Sequence, residues 1–353
     1  MTVIAVEGLE VHYKQRGRPR ARFHAVDGVS FTVGEGETLG VVGESGSGKS
    51  TIGRAILGLA PVSRGHVEMP YAGRGRRARA AALQAIFQDP YSSLDAQRTI
   101  GQTLSEPLEV QRVPRAERDR RILELLERVG LPANAVERYP HEFSGGQRQR
   151  IAIARALVMD PQLVVCDEPI SALDLSTQAA VLNLLQELQD EFGVAYIFVA
   201  HDLVAVRHLS DQVVVLYRGR AMEQGPAELV CETPLHPYSR ALWAASPVPD
   251  PVAQRERRAG LERATAVSAA AAAPPPPDGC PFAPRCPTAA DVCWSTRPSR
   301  VEAAGRALEC HLFDSDSAHP DAGRGVELMG SAPGAAPAQP SAIAPRSTDG
   351  GSR

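Results

Sequence analysis

The chain has 353 residues, a formal net charge of −3 and 5% aromatic residues, so it is long enough for about two domains but carries no general basic field for nucleic acid or an anionic lipid surface. No apolar run reaches the ~20 residues that a membrane-spanning helix needs, and the opening Met1-Thr2-Val3-Ile4 has no charged-then-apolar leader. Six cysteines are too few for a disulfide scaffold, so the expected compartment is the cytoplasm.

Residues 3–11, 29–33 and 39–42 read as short strands separated by Gly, Glu and basic residues. Between the first two, residues 14–22 carry five cationic side chains and read as a solvated turn. The run 39–42 leads directly into Gly43-Glu44-Ser45-Gly46-Ser47-Gly48-Lys49-Ser50, a G-x-x-x-x-G-K-[ST] phosphate loop between a buried strand and a helix. Gly43, Gly46 and Gly48 let the backbone fold so that the N–H groups of residues such as Ser45, Ser47 and Thr51 face an anion, and the helix starting near Lys49 adds its positive end. Lys49 is expected on the β/γ-phosphates of a nucleotide and the Ser50 hydroxyl on Mg²⁺.

Residues 64–82 are rich in Arg, Gly and Ala and read as an exposed hairpin and linker; no aromatics are interleaved as a nucleic-acid surface would require. Ile122, Leu123, Leu125, Leu126 and Val129 recur at helical spacing over residues 116–129 and stop before Gly130. The runs 163–166, 195–200 and 213–217 are continuously apolar, as parallel strands covered on both faces are. Between the first two, residues 176–192 form a helix with Val181, Leu184, Leu185 and Leu188 on one stripe. This alternation predicts an α/β sheet with right-handed crossovers. Asp167 ends the first of these strands, which places a carboxylate where it can hold Mg²⁺ beside the phosphate loop.

Past residue 250 the composition shifts. A charged stretch, an alanine run and Pro274 to Pro277 form a low-complexity linker, then Cys280, Cys286, Cys293 and Cys310 cluster as C-x5-C-x6-C-x16-C. In a short Pro-rich segment with few apolar neighbours, a metal would supply folding energy that packing cannot. The spacing matches neither common zinc fingers nor ferredoxin runs. The other cysteines, Cys166 and Cys231, fall in the body of the chain and read as inert. The expected organisation is residues 1–250 as the nucleotide-binding domain, 251–278 as linker, 279–313 as a Cys-rich segment and 314–353 as a disordered tail.

Three further stretches narrow the reading. Phe143-Ser144-Gly145-Gly146-Gln147 continues into residues 148–157, the apolar strand 163–166 runs into Asp167-Glu168, and Ser171-Ala172-Leu173-Asp174 and then His201 follow. This order closely resembles the ATP-binding cassette (ABC) family. The wording at residues 87–94, 139–143 and 234–238 is similar to the ATPase subunits of its dipeptide/oligopeptide importers, over roughly residues 3 to 312. The resemblance implies a P-loop NTPase core with an antiparallel β subdomain and a helical subdomain carrying Ser144, plus the small Cys-rich C-terminal segment. It implies Glu168 as the general base that orients water, Gln88 as a switch residue touching Mg²⁺ or that water, His201 as a γ-phosphate contact and Tyr13 as the aromatic on adenine. Ser144, Gly145, Gly146, Gln147 and Asp174 would complete the site of an opposing cassette. The implied assembly is a second ABC ATPase subunit, identical or not, two transmembrane permease subunits and an extracytoplasmic binding protein, at the cytoplasmic face of the membrane and without nucleic acid. For the four cysteines it favours a [4Fe–4S] cluster, with zinc second and free thiols third. Uptake of di- or oligopeptides is the leading function. Nickel or glutathione uptake, or a soluble ABC ATPase acting on nucleic acid or ribosomes, is the alternative. Three departures stand out: Phe143 replaces the commoner Leu, Asp95-Ala96 stands where the family usually has Asn-Pro, and an alanine run precedes the cysteines.

Overall fold

The computed structural model describes residues 1–15, 18–70, 73, 75–89, 94–245 and 276–330. The chain opens with β1 (Thr2–Gln15), β2 (Arg18–Gly34), β3 (Thr38–Val42), α1 (Lys49–Ile56) and β4 (Arg64–Glu68). Then come α2 (Arg76–Ala82), β5 (Leu83–Ile86), α3 (Ile100–Val110), α4 (Arg115–Arg128) and α5 (Gly145–Leu157). They are followed by β6 (Leu163–Asp167), α6 (Leu175–Phe192), β7 (Ala195–Val199), α7 (Leu203–Leu209), β8 (Gln212–Tyr217) and β9 (Arg220–Pro226). The last elements are α8 (Ala227–Glu232), α9 (Pro237–Ala245), α10 (Asp291–Ser295), β10 (Arg300–Ala303), β11 (Arg306–Glu309) and α11 (Gly325–Gly330).

Eight strands form the main sheet, in the order β10-β11-β9-β8-β3-β7-β6-β5. From β8 to β5 the pairing is parallel, and β9, β11 and β10 add antiparallel strands at the other edge. Every residue of β3 and β7 is buried, and the strand period of two explains how one apolar run serves two cores. Leu39, Val41, Leu163, Val165, Ile197 and Val199 pack with Ile52 and Ile56 of α1 and the inner face of the three-stranded β2-β1-β4 sheet. Val164, Cys166, Tyr196 and Phe198 face the opposite side, against Leu104, Leu126, Ile151 and Leu185 from the helices. The expected α/β core, antiparallel sheet and helical layer are therefore present.

Several elements depart from the sequence reading. Within the basic stretch 14–22, Lys14 pairs with Arg22 and Gln15 with Arg18, so β1 and β2 run on into the stretch expected to be a turn; backbone pairing decides this, and composition does not report it. Residues 64–82 hold β4, which pairs with β1, and α2. Arg and Ala are strong helix formers, and that propensity wins over the punctuating glycines. The Cys-rich segment lies on the main sheet, with Ala307 and Leu308 of β11 paired to Gln224 and Glu223 of β9. Its cysteines have abundant apolar neighbours: Cys280, Phe282, Ala283 and Cys293 belong to the same core as Tyr217 and Tyr238. Those neighbours come from distant parts of the chain, so the segment's own composition concealed them. Beyond 313 the chain continues through α11, where Leu328 and Met329 pack on Leu312 and Phe313. The greater part of the expected linker and the tail from 331 onward lie outside the described residues, as do residues 90–93 of the family-like segment 87–94.

Candidate functional site

β3 occupies the middle of the parallel strands and releases the chain into the phosphate loop. Gly43 and Gly48 have φ of 151° and 107°. A Cβ on Gly43 would sit 2.2 Å from the Leu216 carbonyl oxygen, and one on Gly48 2.3 Å from that of Ala25, so only glycine fits. The loop is thus wedged between β8 and β2. Lys49 opens α1 and is buried. Its ammonium donates to the carbonyl oxygens of Gly43 at 2.8 Å and Glu44 at 3.0 Å. Burial lowers its pKa, opposed by the negative charges of Glu168, Asp167 and Glu44. The Ser47 hydroxyl is buried with no hydrogen-bond partner among the described residues, a state that is costly for a polar group and that a phosphate oxygen relieves. The loop therefore fits a polyphosphate on its own geometry.

The Ser50 hydroxyl donates to Asp167 Oδ1 at 2.7 Å. This brings together the two oxygen ligands that the sequence assigns to Mg²⁺, a hard cation that prefers such donors. One residue on, Glu168 has a positive φ of 51°, and its amide donates to the Val199 carbonyl at 2.9 Å. That turn ties it to the end of β7. Its carboxylate oxygen lies 3.5 Å from Nδ1 of His201, with the side chains 21% and 63% exposed. Gln88 is exposed two residues past Ile86, whose partner in the parallel register is Cys166, so it leaves β5 at the same edge as Asp167 leaves β6. The loop, Asp167, Glu168, His201 and Gln88 all emerge at the carboxyl ends of parallel strands, where α/β sheets bind ligands. Tyr13 sits inside β1 opposite Phe23 and is 36% exposed. It belongs to the hairpin that passes over Gly48 at Ala25.

A second exposed patch is built from two helix N-termini. Ser144 caps α5 through a capping box, its hydroxyl accepting from the Gln147 amide and its own amide donating to Gln147 Oε1 at 2.9 Å. Asp174 caps α6, accepting from the Thr177 amide at 3.0 Å and from the hydroxyls of Ser176 and Thr177. Those hydrogen bonds hold its carboxyl below the usual carboxylate range. A Cβ on Gly146 would lie 2.5 Å from Thr177 Cγ2, so the two N-termini are side by side. Ser144, Gly145, Gly146, Gln147 and Asp174 thus form one outward face with two positive helix ends, suited to an anion presented from outside the chain.

The four clustered cysteines also converge. Cys280, Cys286, Cys293 and Cys310 line one small cavity with His236, His311 and His319. The Cys280 amide donates to the Cys293 carbonyl at 2.7 Å, closing the first and third cysteines together. Burial pushes the thiol of Cys280 up to about 12 and raises those of Cys310, Cys286 and Cys293. His236 Nε2 is buried there without a partner among the described residues. No three His, Cys, Asp or Glu side chains among the described residues have the arrangement to hold one metal ion.

Two residues that motif reading passed over touch the phosphate loop. Tyr238 Oη accepts from the Glu44 amide at 3.0 Å, and Arg285 grips the Glu44 carboxylate. Tyr238 stood within a family-like segment, whereas nothing local marked Arg285.

Residues 26–171 match a family described as ABC transporter, and residues 222–293 match the oligopeptide/dipeptide transporter C-terminal region. A putative peptide import ATP-binding protein of Brucella abortus is 45% identical over 323 residues, covering 88% of this chain and 94% of the relative. The oligopeptide transport ATP-binding protein OppF of Escherichia coli is 46% identical over 328 residues, covering 88% and 96%. Among solved structures, cbiO1 of Clostridium perfringens, part of an ABC transporter complex, superposes with a TM-score of 0.57 at 27% identity, covering 65% of this chain and 90% of that one. A dimeric ATP-binding cassette holding ADP and Pi after hydrolysis gives 0.56 at 27% identity, covering 64% and 98%.

Proposed function

The chain belongs to the ABC transporter ATPases, in the branch that carries the oligopeptide/dipeptide C-terminal region, and from that premise we propose that it hydrolyses ATP to drive uptake of di- or oligopeptides across the cytoplasmic membrane. The observation that carries the chemistry is the meeting of Ser50 with Asp167 at 2.7 Å beside the phosphate loop. The substrate class rests on the 44–46% identity to peptide and oligopeptide transport proteins. No helix among the described residues is long and apolar enough to cross a membrane. That agrees with a peripheral subunit docked on two permease subunits and supplied by an extracytoplasmic binding protein. The C-terminal region argues against a soluble ABC ATPase working on nucleic acid or ribosomes.

In this reading Tyr13 stacks on adenine, while Lys49 and the amides of Gly43, Ser45, Gly46, Ser47, Gly48, Ser50 and Thr51 bind the phosphates. Ser50, Asp167 and Gln88 would hold Mg²⁺, which neutralises charge on the β- and γ-phosphoryl oxygens. Glu168 orients a water on the γ-phosphorus and accepts its proton as the bond to the β-phosphate oxygen breaks, releasing ADP and phosphate. His201 supports the γ-phosphoryl from the next strand. Ser144, Gly145, Gly146, Gln147 and Asp174 serve the nucleotide of a second cassette, so turnover needs a dimer. Positioning and electrostatics supply the rate.

For the four cysteines we favour a [4Fe–4S] cluster, with zinc second and free thiols third: one small cavity is lined by all four thiols, and four Cys thiolates are the ligand set such clusters use. Cys280, Cys286, Cys293 and Cys310 would hold it, and it would cross-link the segment. Anaerobic purification with visible spectroscopy and metal analysis is expected to show iron; zinc alone would reject the cluster.

The deciding experiment is uptake of labelled di- and oligopeptides by cells carrying wild-type protein or Glu168→Gln, with nickel and glutathione uptake alongside. Loss of peptide uptake alone is expected, with ATP binding by the purified variant intact. Loss of nickel or glutathione uptake instead would keep the ATPase and overturn the substrate.

A further inference from the structure

Glu44 is the second residue of the phosphate loop, a position whose side chain the loop motif does not specify. Here all its polar parts are engaged. The carboxylate accepts both terminal nitrogens of Arg285, each at 2.9 Å. The amide donates to Tyr238 Oη at 3.0 Å, and the carbonyl oxygen accepts from Lys49 Nζ at 3.0 Å. Arg285 lies in the 3-10 turn Ala283–Arg285, between Cys280 and Cys286. Its guanidinium stands over the rings of Phe282 at 5.5 Å and Tyr217 at 5.8 Å, and Phe282 itself lines the cysteine cavity. Three contacts therefore run from the cavity wall to the phosphate-binding ammonium: Phe282 to Arg285, Arg285 to Glu44, and Glu44 to Lys49.

The Arg285–Glu44 pair is 36% and 42% exposed, so it adds little to overall stability. A two-pronged guanidinium–carboxylate contact instead fixes direction. The turn bearing Arg285 is held from the cysteines at both ends: the Ala283 amide donates to the Cys280 carbonyl at 3.1 Å, and the Cys286 amide to that of Ala283 at 3.2 Å.

We propose that Arg285 is a positioning residue for ATP: it holds Glu44, and through it the loop and Lys49, in the phosphate-binding conformation, so that an intact cysteine cavity sets nucleotide affinity. The proposal rests on the reading of the loop as an ATP site. When the turn loosens, the loop spends less time in the competent conformation, and apparent affinity falls by that fraction.

The test is calorimetric titration of the purified, anaerobically handled full chain with Mg·ATP, with the hydrolysis-deficient Glu168→Gln form as parent. Arg285→Ala is expected to weaken binding about tenfold, as when the competent loop drops to roughly a tenth of the population. Arg285→Lys, which keeps charge without the fork, should fall between. In the otherwise wild-type chain, Arg285→Ala should raise KM for ATP more than it lowers kcat. Exchanging the charges with Arg285→Glu and Glu44→Arg together should restore part of the affinity, which a merely structural loss would not allow. Cys286→Ser should weaken binding in the parent and add nothing to Arg285→Ala. If that variant does not fold, Thr288→Val, which removes the hydroxyl 3.3 Å from Cys286 Sγ, takes its place. Parent-like affinity in Arg285→Ala, or equal losses from the cavity variant with and without Arg285, would overturn the proposal. A parent that binds no ATP would instead overturn the reading of the loop.

Discussion

Gly43 is the residue at which the nucleotide site is least tolerant of change. A methyl there would meet the Leu216 carbonyl at 2.2 Å, and because that oxygen belongs to β8, the loop must move instead. Gly46, with φ of 77°, has open space around it, so alanine there meets only backbone strain. Gly43→Ala should therefore cut ATP hydrolysis on the order of a hundredfold, the effect of displacing reacting groups by about 1 Å, while Gly46→Ala costs much less. Thermal unfolding should change little in either, since the loop contributes no apolar core. Equal hydrolysis by the two variants would disprove the clash argument. The phosphate loop from Gly43 to Ser50 was legible as a motif because such a loop dictates its residues locally, and Asp167 stood out as the carboxylate that ends an apolar run. The roles proposed for Gln88, His201 and Tyr13 rest on family resemblance alone, since one polar residue at or after a strand has no local signature. The Glu44–Arg285 contact, 241 positions apart in the chain, left no trace that sequence reasoning could follow.

Strands and helices were legible where one physical term dominated. Apolar runs in β6, β7 and β8 and the stripe of α6 came through because burial on one or two faces leaves a period. The extension of β1 and β2 beyond residues 3–11 and 29–33, and α2, did not, being decided by pairing or propensity. At the α5 and α6 N-termini, Ser144 and Asp174 each do two jobs, capping a helix and forming an exposed face. Ser144→Ala should lower stability by about 1 kcal/mol through the lost cap, a shift of roughly 2–4 °C for a domain of this size. If Ser144 also meets the nucleotide of an opposing cassette, hydrolysis by the assembled transporter should fall far more than that shift explains. Full hydrolysis with the small thermal shift would leave Ser144 as a cap only.

At the scale of the whole molecule, the sequence suggests a cassette with a separate tail, and the structure joins them. Composition alone marked residues 279–313 as a unit, because a proline- and alanine-rich stretch precedes it, but sheet pairing is not visible in composition. β11 pairs with β9, and Arg306 reaches Glu223, which is fully buried, at 3.1 Å. Glu223 also accepts the amides of Leu235 and His236, each at 3.0 Å, while Arg220 pairs with Asp27 and Glu309. Removing everything after residue 275 would leave Glu223 without its cation, and breaking a buried pair on one side costs about 3–5 kcal/mol. It would also uncover the apolar faces of Tyr217 and Tyr238 that Phe282 covers. The truncated chain should therefore unfold about 6–20 °C lower than the full chain, since about 1 kcal/mol shifts a domain of this size by roughly 2–4 °C. Glu223→Gln should recover part of the loss in the truncated chain and destabilise the full one, because it removes the stranded charge in the first and the partner of Arg306 in the second. Differential scanning calorimetry of the four proteins reads this sign reversal directly. Identical unfolding of the truncated and full chains would restore the view of the C-terminal segment as an independent appendage.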